Sequence, residues 1–321
     1  MMKYKNPLSL LKKKKTWALL VPMLLVACSS ILPDFESSFD SNDRIDRKTI
    51  KVNSGVRNFD LSYLINGNPE GQRVIFVHGT PGDAAGWIEY LYNAPKDMEF
   101  ISIDRPGFGK TRPKRATVSL DEQAAVLLPL LESGNGKPPI LVGHSLGGPI
   151  VAAAAANYPD KVGAVIQLAS AVDPGLEDVL FIQYVGNTPP ISWLLPKAAS
   201  NSNKELIWLE GELNLLSTKL DKIVQPVTII HATDDSLVPY ANVPYMEKTF
   251  INAAPLEIVT LEGVDHFLPW NSQPTLMKEI RKLSNRLNGI EDANVSDETL
   301  NWDPVKRSSG PPPGEVFKEL K

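Results

Sequence analysis

The segment Gly143-His144-Ser145-Leu146-Gly147 follows a β-branched apolar run and opens an alanine-rich one. A serine flanked at two residues on either side by glycine, between a strand and a helix, fits a nucleophile elbow. The central residue takes a strained backbone there, and only glycine lets the neighbouring chain approach without a Cβ clash. Ser145 would present its hydroxyl above the sheet, and the Leu146 amide would face the negative charge that develops on an attacked carbonyl. A serine hydroxyl is a weak nucleophile at neutral pH, so it needs a base, and the base needs an orienting acid. The chain has four histidines. His78 and His144 sit inside turn motifs and His231 closes a strand, so these three are read as structural. His266 alone is late in the chain, on a loop and at a strand's carboxyl end, where an open α/β sheet places its site. The acid belongs between serine and histidine in chain order, after the strand closing at His231, which leaves Asp234 or Asp235.

Such residues need a scaffold that gathers distant positions at one edge. Apolar, β-branched runs occur at 73–79, 100–104, 139–144, 162–169, 226–231 and 256–261. Their nearly continuous hydrophobicity suits parallel strands covered on both faces. Between them, Ser119 and Glu122 make a capping box ahead of a helix over 124–131, residues 146–157 are alanine-rich, and 273–287 is amphipathic after Ser272 and stops at Gly289. Strands alternating with helices predict an α/β fold with a mostly parallel, doubly wound sheet. Alternation through Phe59, Leu61, Tyr63 and Ile65 predicts an antiparallel hairpin over 50–65 at the sheet edge. No internal repeat is visible.

With these elements in place the chain resembles the α/β-hydrolases, the large family of serine esterases, lipases, epoxide hydrolases, haloalkane dehalogenases and proline iminopeptidases. The resemblance covers about residues 49–288. Its motifs, in order, are His78-Gly79-Thr80-Pro81-Gly82, like the family's HGxPG oxyanion loop; Asp104-Arg105-Pro106-Gly107-Phe108-Gly109, like its DxPGxG turn; GHSLGG at 143–148; and Asp235-Ser236-Leu237-Val238-Pro239, like its DxxVP acid loop. Ala232 stands where relatives usually place glycine. The resemblance implies Asp235 as the acid and the Thr80 amide as a second oxyanion donor beside Leu146, each such donor being worth roughly 3 kcal/mol of barrier. It implies no metal and no organic cofactor. Epoxide hydrolases and dehalogenases carry aspartate at the elbow, so Ser145 excludes their route. Hydrolysis of a small to medium carboxylic ester through an acyl-enzyme is favoured. A proline iminopeptidase-like peptidase or a carbon–carbon bond hydrolase on the same triad is the alternative, and a non-catalytic binding lipoprotein is the competing class.

The run Gly107-Phe108-Gly109-Lys110-Thr111 imitates the end of a P-loop, but Asp104 occupies the place of its first glycine and would repel phosphate, so no nucleotide is expected. A cap is expected at about 171–225. Phe181, Trp193 and Trp208, with Tyr184, Ile191, Leu194 and Leu195, give it an apolar face, and Pro189-Pro190 is read as breaking it into short helices. That face either selects an apolar acyl or aryl group of the substrate or packs onto the main domain.

The first 27 residues hold six lysines, no acid and an apolar run from Trp17 to Ala27. That run is about half the ~20 residues of a membrane-spanning helix, so an export signal is expected. It ends Leu25-Val26-Ala27-Cys28, which resembles the lipobox of bacterial lipoproteins, where the chain is cut before the cysteine and the thiol is acylated. Ser29 in place of aspartate implies the outer rather than the inner membrane of a bacterial envelope. Residues 28–48 are read as a tether and 289–321, acidic with three successive prolines, as a tail without a core. The 321 residues carry 33 basic and 37 acidic side chains and one cysteine. That excludes an intramolecular disulfide or a cysteine-ligated metal cluster, and the absence of a basic stripe past residue 15 speaks against nucleic acid. Removal of the leader leaves 27 basic against 37 acidic residues, a net charge of −10, so lipid rather than charge would hold the protein to a membrane.

Overall fold

A computed structural model describes residues 45–179, 181–189 and 191–290. The leader, Cys28 and nearly all of the tether and tail lie outside the described residues. Among those described, eight strands form one sheet: β1 (Asp46–Asn53), β2 (Asn58–Gly67), β3 (Gln72–Val77), β4 (Met98–Ile103), β5 (Ile140–His144), β6 (Ala164–Leu168), β7 (Val227–Ala232) and β8 (Leu256–Leu261), in the order β1-β2-β4-β3-β5-β6-β7-β8. β1 with β2 and β2 with β4 are antiparallel, and the remaining pairs are parallel. The helices are α1 (Ile88–Tyr92), α2 (Leu120–Val126), α3 (Gly147–Asn157), α4 (Phe181–Gly186), α5 (Ile191–Leu194), α6 (Lys197–Ser217), α7 (Asn242–Thr249), α8 (Leu268–Asn271) and α9 (Gln273–Leu287). This is the α/β-hydrolase fold, with α4 to α6 inserted between β6 and β7.

Alternation along each strand divides the core into two layers. Ile75, Val77, Leu141, Val165 and Ile229 pack with residues of α2, α3, α6 and α7. Val74, Phe76, Ile140, Val142, Ile166 and Ile230 pack on the other face with residues of α1, α8 and α9. Because both faces are covered, β3 and β5 read as unbroken apolar runs, and each fully buried side chain contributes about 1.5–3 kcal/mol of transfer free energy. The chain leaves β3 toward β4 on one side and returns to β5 on the other. That switch point brings the carboxyl ends of β3 and β5 together.

Several elements differ from expectation for identifiable reasons. β1 begins at Asp46, paired with Ile65, so the folded domain reaches three residues into the stretch read as tether. The Ser119 hydroxyl accepts from the Glu122 amide, but the Glu122 carboxylate turns to Arg57 and Ser54, so only half of the capping box forms. α2 ends at Val126, well before 131, because Pro129 has no N–H to continue it, and a 3-10 turn follows. The cap is not made only of short helices: α6 runs 21 residues. α9 ends as expected, in a Schellman motif in which the Gly289 and Ile290 amides donate to Arg286 and Asn285 carbonyls.

Candidate active site

β5 ends at His144 and α3 opens at Gly147, so Ser145 and Leu146 are the whole turn between them. Ser145 has φ +55°, a left-handed conformation few non-glycine residues adopt. Its amide donates to Leu168 O at 3.0 Å and its carbonyl accepts from Gly148 N at 3.0 Å, which locks the strained turn between β6 and α3. The packing around it leaves no room for side chains. A Cβ on Gly147 would lie 2.2 Å from Val77 O, and one on Gly79 would lie 2.8 Å from Ser145 Cβ. The loop after β3 is therefore seated directly on Ser145. Among the described residues, neither the Thr80 nor the Leu146 amide has a hydrogen-bond partner.

Asp235 follows β7 and is buried, whereas Asp234 is exposed. Of the two, only Asp235 is in hydrogen-bond contact with a histidine. Asp235 Oδ1 accepts from the Leu237 and Val238 amides at 2.9 and 2.8 Å, and Oδ2 accepts from His266 Nδ1 at 2.7 Å. Burial pushes the Asp235 carboxyl up, but the hydrogen bond and charge of His266, with the Val238 amide and His231, outweigh it and hold the carboxyl below its ordinary range. The bond to Asp235 assigns the His266 proton to Nδ1 and leaves Nε2 as a base. His266 follows β8 and is held beside the elbow by the residue before the serine: His144 Nε2 donates to His266 O at 3.0 Å, and the two rings lie 4.8 Å apart. Among the described residues no hydrogen bond joins Ser145 to His266, and such bonds often tighten only when substrate is bound.

The other three histidines have structural partners. His144 is boxed by His266, Trp87 and Trp270, and burial, with the His266 charge, lowers it to about 3. His78 donates from Nδ1 to Gly79 O at 2.7 Å and accepts at Nε2 from the Arg105 amide at 3.1 Å, and burial and the Arg105 charge hold it neutral well below its usual range. His231 donates to Val238 O at 2.9 Å, and burial lowers it as well.

The loop that imitates a P-loop is filled by its own aspartate. Asp104, fully buried, accepts from the Lys110 and Ala84 amides, both at 2.8 Å, and from Arg47. Among the described residues no group of three or more His, Cys, Asp and Glu side chains is placed to hold a metal. Of the cap residues, Trp193 and Trp208 are 76% and 60% exposed, so neither is part of the buried core. Phe181 opens α4, and its side chain is outside the described set.

Reasoning from sequence missed the polar cluster behind the loop after β3. Arg105 and Glu205 are buried and paired at 2.8 Å, with Gln123, Ser202 and Thr80 around them. A charged residue inside the DRPG turn was the one available signal for Arg105. Nothing marked Glu205 among the other acids of α6.

Residues 72–195 match a family model described as the alpha/beta hydrolase fold. The chain is 26% identical over 261 residues to a non-heme chloroperoxidase of Streptomyces lividans, covering 68% of this chain and 92% of that protein. It is 32% identical over 116 residues to a pyrrolizixenacetamide deacetylase of Xenorhabdus hominickii, covering 36% of this chain but only 43% of the relative, so the chain spans less than half of that protein's length. Among solved structures, a monoacylglycerol lipase of Paleococcus ferrophilus superposes with a TM-score of 0.57 at 19% identity, over 70% of this chain and 98% of the lipase.

Proposed function

From the α/β-hydrolase fold and the family-model match over residues 72–195, we propose that the chain is a serine hydrolase of small to medium carboxylic esters, held to a bacterial cell envelope, with the outer membrane favoured, by lipid on Cys28. The observation that carries the reading is the buried Asp235–His266 pair at 2.7 Å beside a serine with φ +55°. In the proposed sequence Ser145 Oγ attacks the ester carbonyl while His266 Nε2 takes its proton. Asp235 holds the imidazole in the required tautomer and balances its charge. The Thr80 and Leu146 amides receive the oxyanion. The proton passes from His266 to the leaving alkoxide, and water then repeats the cycle on the acyl-enzyme.

Ester cleavage is preferred to amide or carbon–carbon cleavage because Ser145 with two amide donors suffices for a good leaving group without further acids. The exposed Trp193 and Trp208, with Phe181, are assigned to the apolar acyl or aryl group of the substrate. Hydrolysis of p-nitrophenyl esters of rising acyl length tests both parts. Ser145→Ala is expected to lower kcat by at least about 10³-fold. Trp193→Ala is expected to change kcat/KM with chain length. A folded Trp193→Ala protein with an unchanged chain-length profile removes the substrate role of the cap.

A further inference from the structure

We propose that the buried Arg105–Glu205 pair is a positioning device for the oxyanion loop, through which the cap helix α6 sets the orientation of the Gly79–Thr80 peptide. The inference rests on the assignment of the Thr80 amide as an oxyanion donor. Arg105 is 0% exposed and Glu205 2%. Their contact is bidentate: Arg105 Nη1 donates to Glu205 Oε1 at 2.8 Å and Nη2 to Oε2 at 3.1 Å. The remaining Nη1 proton goes to Gln123 Oε1 at 2.7 Å and the remaining Nη2 proton to Gly79 O at 2.8 Å, while the guanidinium lies 4.8 Å from the centre of the Phe108 ring.

The Gly79 carbonyl and the Thr80 amide belong to one planar peptide, and in a trans peptide they point in opposite directions. Arg105 and His78 together grip that carbonyl, at 2.8 and 2.7 Å, and so fix the direction of the amide on the opposite edge. The cation also polarises the peptide and makes its N–H a better donor to an oxyanion. The Thr80 side chain ties the same residue to the cap. A carboxylate accepts only, so Thr80 Oγ1 donates to Glu205 Oε2 at 2.7 Å and takes the Ser202 hydroxyl proton at 2.9 Å. Glu205 thus holds Thr80 from its side chain and, through Arg105, from its backbone.

A buried ion pair is weak evidence for stability, because desolvation of both charges offsets most of their attraction. Its place here, with one partner on the cap and the other behind the amide, accounts for it by orientation instead. The residues act through Thr80 and touch no substrate.

The test compares Glu205→Gln, Thr80→Val and Thr80→Ser in the full chain, each assayed well below its own Tm with p-nitrophenyl butyrate and with a trifluoromethyl ketone whose serine adduct carries the same oxyanion. Glu205→Gln and Thr80→Val are expected to lose about 10- to 100-fold in kcat, part of the 10²–10³ that a missing donor costs. KM should stay within about twofold, with ketone affinity falling by the same factor as kcat/KM. Thr80→Ser, which keeps the hydroxyl, should restore near wild-type kcat. If Glu205→Gln fails to fold, the Thr80 pair decides alone. A folded Glu205→Gln or Thr80→Val enzyme with unchanged kcat, or a loss confined to KM, overturns the inference while leaving the Ser145 reading intact. An inactive wild type overturns that reading first.

Discussion

Ser145 keeps a backbone conformation that costs of order 1–3 kcal/mol, and the bonds to Leu168 and Gly148 are what hold it there. Its surroundings were readable from the sequence because strain and close approach leave a glycine signature at 143 and 147. The acid was readable only as a choice between Asp234 and Asp235 until the DxxVP resemblance decided it. The physical reason is a matter of burial: adjacent side chains point to opposite sides, and only Asp235 reaches two amides and His266. The residue scale also carries a pH prediction. His144 is held neutral with a pKa of about 3, whereas an unfolded histidine titrates near 6.5. Below pH 6.5 the unfolded chain binds a proton that the folded chain refuses, so stability from this residue is complete above that pH and lost as pH falls toward 3. His144→Gln, which keeps a donor for His266 O, should therefore lose less stability than wild type between pH 7 and pH 5. The difference should be about 2 kcal/mol, or roughly 4–8 °C in Tm. Parallel Tm curves for the two proteins across that range would show that His144 is not the proton-excluding group.

At the scale of elements, strands were more legible than helices. All six β-branched runs are β3 to β8 within two residues, because burial on both faces writes itself as uninterrupted hydrophobicity. α6 was not legible. Its early residues Ser200, Asn201, Ser202 and Asn203 look like a loop in sequence, yet all four are buried, with Asn201 donating to Gly107 O and Asn203 to Gln183 O. Polar side chains that find tertiary partners remove the amphipathic pattern on which helix recognition depends. The helix regains an apolar face at Leu209, Leu213 and Leu216, and its neighbouring positions give a direct check. Leu209 is 3% exposed and Trp208 60%. Leu209→Ala should cost about 2–5 kcal/mol in denaturant unfolding, while Trp208→Ser should stay within about 0.5 kcal/mol. Equal effects at the two positions would contradict the orientation of α6.

Among the described residues one sheet gathers Ser145, Asp235 and His266 at its carboxyl edge, after β5, β7 and β8, and a buried ion pair joins the cap helix α6 to the turn after β4. The proposed envelope anchor has a separate test. Residues 28–321 carry a net charge of −10, so attachment to an anionic membrane is expected to depend on Cys28 and to resist high salt. Wild type should sediment with membranes and leave them in detergent, and Cys28→Ala should appear in the soluble fraction. Release of wild type by salt alone would refute lipid attachment. The central claim, that Ser145 is an activated nucleophile, is most directly tested by labelling with a fluorophosphonate, which reacts covalently with activated serines. Folded wild-type protein should label, and Ser145→Ala should not. A folded wild type that stays unlabelled, or a Ser145→Ala protein that labels equally, would contradict the account.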